Sequence, residues 1–167
     1  MSGEHVPRPV PYVEGKKKEE RLYHENANYT ADAVVTRKEG GVWQILLIKR
    51  GNGKWALPGG FRDALKDAEG NATDAIEDAE SAILHEVTEE TGVVLPAGIS
   101  KTKVYEGPVE DERNEGKPGE KGARWIETTA FHMDVTGVRG MEPTDTGDEY
   151  IHDYKWAPLD ETLFTDG

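Results

Sequence analysis

"ILHEVTEETG", Ile83 to Gly92, decides how the rest of this chain is read. Its glutamates Glu86, Glu89 and Glu90 stand at i, i+3 and i+4, so on a helix they share one side. Like charges at that spacing weaken an isolated helix by roughly a few tenths of a kcal/mol per pair. They also sit near the C-terminal end, where the helix dipole disfavours anions. Taken alone, such a cluster is most often a solvated acidic face. Two local rules broken within one turn point the other way, because such violations gather at functional sites. A divalent cation would remove the conflict, since hard cations prefer carboxylate oxygens.

The helix around this stretch is expected from about Thr73 to Glu90, with Ile76, Ala79, Ile83 and Val87 at helical spacing. Asn71 or Thr73 would cap it, and Gly92 would end it. Before it, "YTADAVVTR" (Tyr29–Arg37) and "VWQILLIKR" (Val42–Arg50) flank "KEGG" and read as a β-hairpin. The second run is almost continuously apolar, as in a strand buried on both faces. "KWALPGGF" reads as a short strand ending in a Gly-Gly turn, with a long polar loop after it. Beyond the helix, "VVL", "TKVYEGPV", "ARWIETTAFHMDV" and "YIHDYKWAPL" read as strands, and "LDETLF" as the start of a further helix. Strands interspersed with one firm helix give an α/β class with a mixed sheet.

Composition narrows the function. The chain has 167 residues, enough for one domain with one core. Residues 1–25 are rich in Pro, Lys and Glu and read as a flexible N-terminal arm, leaving 26–167 as the folded domain. The net charge of −13 argues against a nucleic-acid or anionic-membrane binder, which needs a basic face. An anionic ligand would need a cation brought in with it. There is no cysteine, which removes thiolate chemistry and fits a cytoplasmic setting. "MSGEHVPRPVP" lacks the apolar core of a signal peptide, and no run is long enough to span a bilayer.

Gly60, Glu77, Glu86, Val87, Glu89, Glu90, Gly92 and Val93 together resemble the Nudix box of the Nudix hydrolases. From Glu77 to Val93 the spacing matches without a gap. Two departures stand out. The family sets its glycine and first glutamate six positions apart, whereas Gly60 and Glu77 are seventeen apart, with the extra residues inside "ALKDAEGNATDAI". A longer loop absorbs these at modest entropic cost. The motif arginine is His85, a shorter side chain whose charge depends on pH. Either His85 orients the glutamates weakly in the arginine's place, or it is a helix-face histidine without a role.

The resemblance implies a Nudix-type α/β/α sandwich with a mixed β-sheet. It also implies hydrolysis of a nucleoside diphosphate joined to another group, with Mg²⁺ or Mn²⁺. Its metal ligands would be Glu86, Glu89 and Glu90, with the carbonyl of Gly59 or Gly60. The general base would be a box glutamate or an acid of "TDTGDEY", Asp148 or Glu149. Further segments, "NYTADAVVTR", "IKRGNGKWALPGGFRD", "VYEGPVEDERN" and "ARWIETTAF", are similar to those of mitochondrial ADP-ribose pyrophosphatases. They are also similar to the sensor domain of melastatin-type TRP channels. This implies ADP-ribose as substrate, with Asp111 and Arg113 on the terminal ribose side and Tyr29, Thr30 and Asp32 lining the pocket. Arg50, Trp55 and Trp125 are expected neighbours, although a strand Trp is more often core. Two alternatives stay open: another substrate (NADH, a sugar nucleotide or a dinucleoside polyphosphate), or a module that binds ADP-ribose without cutting it. The partner expected is a small nucleotide, with a homodimer as the assembly to test.

Overall fold

The structure, a computed structural model, describes residues 5–6, 22, 26–62, 64–66, 68–69 and 71–159. Strands β2 (Asn26–Glu39) and β3 (Val42–Arg50) form the expected hairpin. Gly40 and Gly41 turn it with positive φ, which a side chain would resist. Ile45, Leu46, Leu47 and Ile48 are all buried, so β3 is covered on both faces. β4 (Trp55–Ala56) pairs with β3, and β5 (Gly59–Phe61) with β2. The Gly-Gly pair is therefore strand and not turn. β8 (Thr102–Val109), β9 (Arg124–Asp134) and β10 (Ile151–Pro158) complete a seven-stranded sheet along the order β10-β3-β2-β9-β8. β2 and β9 run parallel and the other pairs antiparallel, so the sheet is mixed as expected.

The helix α1 is Ala79–Thr91 and starts later than the sequence suggests. Its cap is Asp78, extended at φ −70 and ψ 154, whose carboxylate accepts from the Ser81 amide at 2.8 Å. Residues 72–76 are instead a strand, β7 (Ala72–Ile76), paired with β6 (Ala64–Lys66). The inserted residues thus fold back on themselves as a hairpin. β1 (His5–Val6) pairs with the outer side of β6, giving a small second sheet. Leu22 is buried, and the rest of the proposed N-terminal arm lies outside the described residues. Gly92, at φ 76, ends α1 by donating its amide to the Thr88 carbonyl at 2.9 Å. "VVL" is not strand: Val93 and Leu95 plug the core as an irregular segment.

α1 lays Ala82, Ile83 and Val87, all fully buried, on Ala31, Ala33, Val35, Leu46, Phe131 and Met133 of the sheet. Burying Ile83 and Val87 contributes about 1.5–3 kcal/mol each. The opposite face carries a smaller cluster of Ile45, Leu47 and Ala157, flanked by Val34, Trp55 and Leu57. The second helix expected from "LDETLF" falls largely on residues 160–167, outside the described residues. Among the described residues no helix is long and apolar enough to cross a membrane.

Candidate active site

The glutamates of α1 meet the Gly-Gly strand. Glu90 is buried at 8% exposure, and its Oε1 accepts from the Gly59 amide at 2.7 Å. Glu86 lies against Gly60: a Cβ there would stand 2.8–2.9 Å from its carboxylate atoms. A Cβ on Gly59 would overlap the Ala31 carbonyl oxygen and Asp32 Oδ1. Glycine is needed at both positions for close approach. The β2–β5 register sets Gly59 opposite Asp32 and Phe61 opposite Thr30. Asp32 in turn accepts from the Thr128 hydroxyl at 2.6 Å, across the parallel β2–β9 pair.

Charge is concentrated here. Burial pushes Glu90 up to about 7, against the Gly59 amide and Arg50, while Asp148 and Asp32 push the same way as burial. Burial likewise raises Asp32, opposed by the Thr128 hydroxyl, Arg50 and Arg113 and assisted by Asp111. Burial would raise Asp111, but the Arg113 fork overrides it and holds the carboxylate below its ordinary range. That fork is bidentate, Nε to Oδ1 at 2.8 Å and a terminal nitrogen to Oδ2 at 2.9 Å. Arg113 also faces the Phe61 ring at 5.3 Å. Arg50 is thus the cation common to Glu90, Asp32 and Asp111.

His85 has a defined place. Its Nε2 lies 2.8 and 2.9 Å from the two oxygens of Glu77, which is 2% exposed. Its Nδ1 lies 3.4 Å from Glu89 Oε1 and 3.8 Å from Glu86 Oε1. Burial alone would lower His85, but the Glu77 hydrogen bond and the charges of Glu77, Glu86 and Glu89 raise it. Arg62 donates to the Glu77 carbonyl at 2.8 Å and fixes the chain where the inserted hairpin rejoins α1. Glu77 therefore reaches the glutamate side despite the insertion.

Asp32, Arg50, Asp111, Arg113, Glu90 and Asp148 form one electrostatic group with the Gly59–Gly60 strand. Asp148 is delivered by a loop tied to the end of α1, where the Thr144 amide donates to the Thr91 carbonyl at 2.7 Å. Glu149 is exposed next to it. Thr30 is buried in β2, whereas Tyr29 is exposed, with the Arg62 guanidinium 6.0 Å from its ring. Trp125 is buried, and Trp55 is half-buried under Lys155 at 4.1 Å. Thr128 and Phe61 were not singled out from the sequence. No local pattern joins Thr128 to Asp32, because the parallel register alone brings them together.

The donor set suits a hard divalent cation: clustered carboxylates, one of them raised by its burial and, to a lesser extent, by its acidic neighbours, beside a strand of two glycines. Among the described residues, His85, Glu86 and Glu89 each place one ligand atom within 4.8 Å of the others.

Residues 27–167 match the family model of the NUDIX domain. Over 90 residues the chain is 36% identical to putative nudix hydrolase 1 of Caenorhabditis elegans. That stretch is 52% of this chain and 21% of the relative, so the match spans about a fifth of that protein's length. The fold is similar to the NUDIX domain of Shewanella oneidensis NrtR complexed with ADP ribose (TM-score 0.55, 23% identity, 84% of this chain and 79% of the other). It is also similar to an Ap4A hydrolase of C. elegans (TM-score 0.50, 16% identity, 83% of this chain and 85% of the other). At these identities the structural likeness is one of fold. With its matched domain and its glutamate helix set against the Gly-Gly strand, the chain belongs to the NUDIX domain family.

Proposed function

We propose that the protein is a metal-dependent hydrolase that cleaves the pyrophosphate bond of ADP-ribose with water to AMP and ribose 5-phosphate. The observation that carries the chemistry is the meeting of Glu86 and Glu90 with Gly60 and Gly59. In this reading Glu86, Glu89 and Glu90, with the Gly59 and Gly60 carbonyls, hold Mg²⁺ or Mn²⁺. When bound, such an ion neutralises phosphate oxygens and lowers the pKa of water. Arg50 holds phosphate oxygens, and Asp111 and Arg113, aligned by their bidentate pair, take the terminal ribose side. Asp32, held by Thr128, offers an acceptor to a ribose hydroxyl, while Thr30 and Tyr29 line the same strand. The proton of the attacking water passes to an acid of the 148–149 turn. Asp148 is favoured over Glu149 because its charge already acts on Glu90.

The substrate assignment rests on the segments around Asp32, Arg50, Asp111 and Arg113, whose side chains converge. The fold alone is shared by neighbours as different as an ADP-ribose-bound domain and an Ap4A hydrolase. The test is incubation with ADP-ribose, with and without Mg²⁺ or Mn²⁺, following AMP by chromatography. Metal-dependent AMP release is expected. Tight ADP-ribose binding without product would make the protein a binding module instead.

A further inference from the structure

We infer that Arg37, outside the group around Glu90, is a positioning residue for Asp148: its guanidinium holds residues 141–144 to the sheet, and these deliver the turn that carries the acid. This rests on the reading of Asp148 as the base and deepens it. β2 and β3 set Arg37 opposite Gln44, and Arg37 Nε donates to Gln44 Oε1 at 2.7 Å. The guanidinium lies over the ring of Trp156, on β10, at 4.3 Å from its centroid. Its Nη1 donates to Glu142 Oε1 at 2.6 Å. The indole N–H of Trp156 donates to the Met141 carbonyl at 2.9 Å, and the Met141 side chain is buried in the main core. One Arg–Trp stack, built on three strands, thus grips two consecutive residues of the loop.

The side chain of Arg37 is 15% exposed and that of Glu142 is 74% exposed. An ion pair this open adds little to stability. Its value is directional, because a planar guanidinium stacked on a ring and bonded along one edge has few orientations left. From Glu142 the path to the acid is short. The Thr144 amide donates to the Thr91 carbonyl at 2.7 Å, and Thr144 Oγ1 lies where a Cβ on Gly92 would overlap it. Four residues on, Asp148 is half-buried, and its charge acts on Glu90. The turn between is shaped by bonds of its own, from the Gly147 amide to Asp145 Oδ1 and from the Tyr150 amide to Asp148 Oδ1, both at 2.9 Å. Among the described residues, the backbone bonds that tie this turn to helix and sheet lie at its ends, at Thr144 on α1 and at Ile151 opposite Arg50. Releasing the front end therefore moves Asp148 relative to Glu90, and a displacement of about 1 Å costs a reacting group about 10²-fold in rate.

The first test needs no turnover. The chain has no cysteine, so Thr146→Cys takes a single nitroxide label on the turn. Its electron paramagnetic resonance spectrum should show a more mobile label when Arg37→Met is added, with circular dichroism verifying the fold. Glu142→Ala, at an exposed position, should shift the spectrum the same way. An unchanged spectrum in both would overturn the inference. The second test is ADP-ribose hydrolysis by Arg37→Met and Glu142→Ala, each made in wild type and in Asp148→Asn. In wild type, kcat should fall about tenfold for Arg37→Met and about threefold for Glu142→Ala, with KM within about twofold. In Asp148→Asn neither should change the residual rate by more than about twofold, because a residue that acts through Asp148 has nothing left to position. Equal losses in both backgrounds would overturn the inference and leave Arg37 a support of the fold. Wild-type turnover in Asp148→Asn would instead overturn the assignment of the base on which it rests.

Discussion

Adjacent glycines should respond in opposite ways to the same substitution. In Gly59→Ala the new methyl would overlap the Ala31 carbonyl oxygen and Asp32 Oδ1 and stand 3.0 Å from Asp32 Cα. Backbone on a central strand cannot retreat, so overpacking should cost about 3 kcal/mol, the upper part of its usual range. For a chain of this size that lowers Tm by roughly 6–12 °C. In Gly60→Ala the methyl meets only the carboxylate end of Glu86, at 2.8–2.9 Å. That end must move by roughly half an ångström to regain ordinary contact. A flexible side chain allows it, and alanine lowers the entropy of the unfolded chain by up to about 1 kcal/mol. Gly60→Ala should therefore keep its Tm within about 3 °C of wild type, yet bind Mn²⁺ at least tenfold more weakly because Glu86 is displaced. Scanning calorimetry and isothermal titration read the two effects separately. Undiminished metal binding in Gly60→Ala, or a wild-type Tm in Gly59→Ala, would refute the placement of these carboxylates.

Three further outcomes are expected. Glu90→Gln keeps an acceptor for the Gly59 amide and so should fold, but lose turnover by about a hundredfold or more, measured as AMP released. If the 148–149 turn supplies the base, Asp148→Asn should lower kcat by about 10²–10⁴ and Glu149→Gln should change it little; the reverse pattern would assign the role to Glu149. Asp78→Ala should cost about 1 kcal/mol of stability by uncapping α1. The Ser81 amide holds Asp78 below its ordinary range, with burial opposing and the Ser81 hydroxyl assisting. Its carboxylate contribution is therefore complete above the ordinary aspartate pKa and lost as pH falls through the lower folded value. Urea titrations of wild type and Asp78→Ala should converge on acidification.

The parts legible in the sequence were those written in short periods. Helical spacing grouped Glu86, Glu89 and Glu90, and alternation or apolar runs found β2, β3, β8, β9 and β10. Gly92 ended the helix because a left-handed position needs glycine. What escaped depends on distant pairing. "ATDAI" has the composition of a helix start, and it is strand because β6 folds against it. Gly59 and Gly60 look like a turn, yet they are bare to let two carboxylates approach a strand. Glu77 could not be assigned from spacing, since the His85 contact crosses the helix cap. Asp32 and Thr128 meet only through the parallel register.

The central claim is tested most directly by the specificity constant for ADP-ribose, measured beside NADH, a sugar nucleotide and a dinucleoside polyphosphate. Each is assayed with Mg²⁺, with Mn²⁺ and with chelator. The account predicts metal-dependent AMP formation with ADP-ribose at least tenfold above the other substrates, and none in chelator. Product formation that survives chelation, or a higher specificity constant for another substrate, would contradict it.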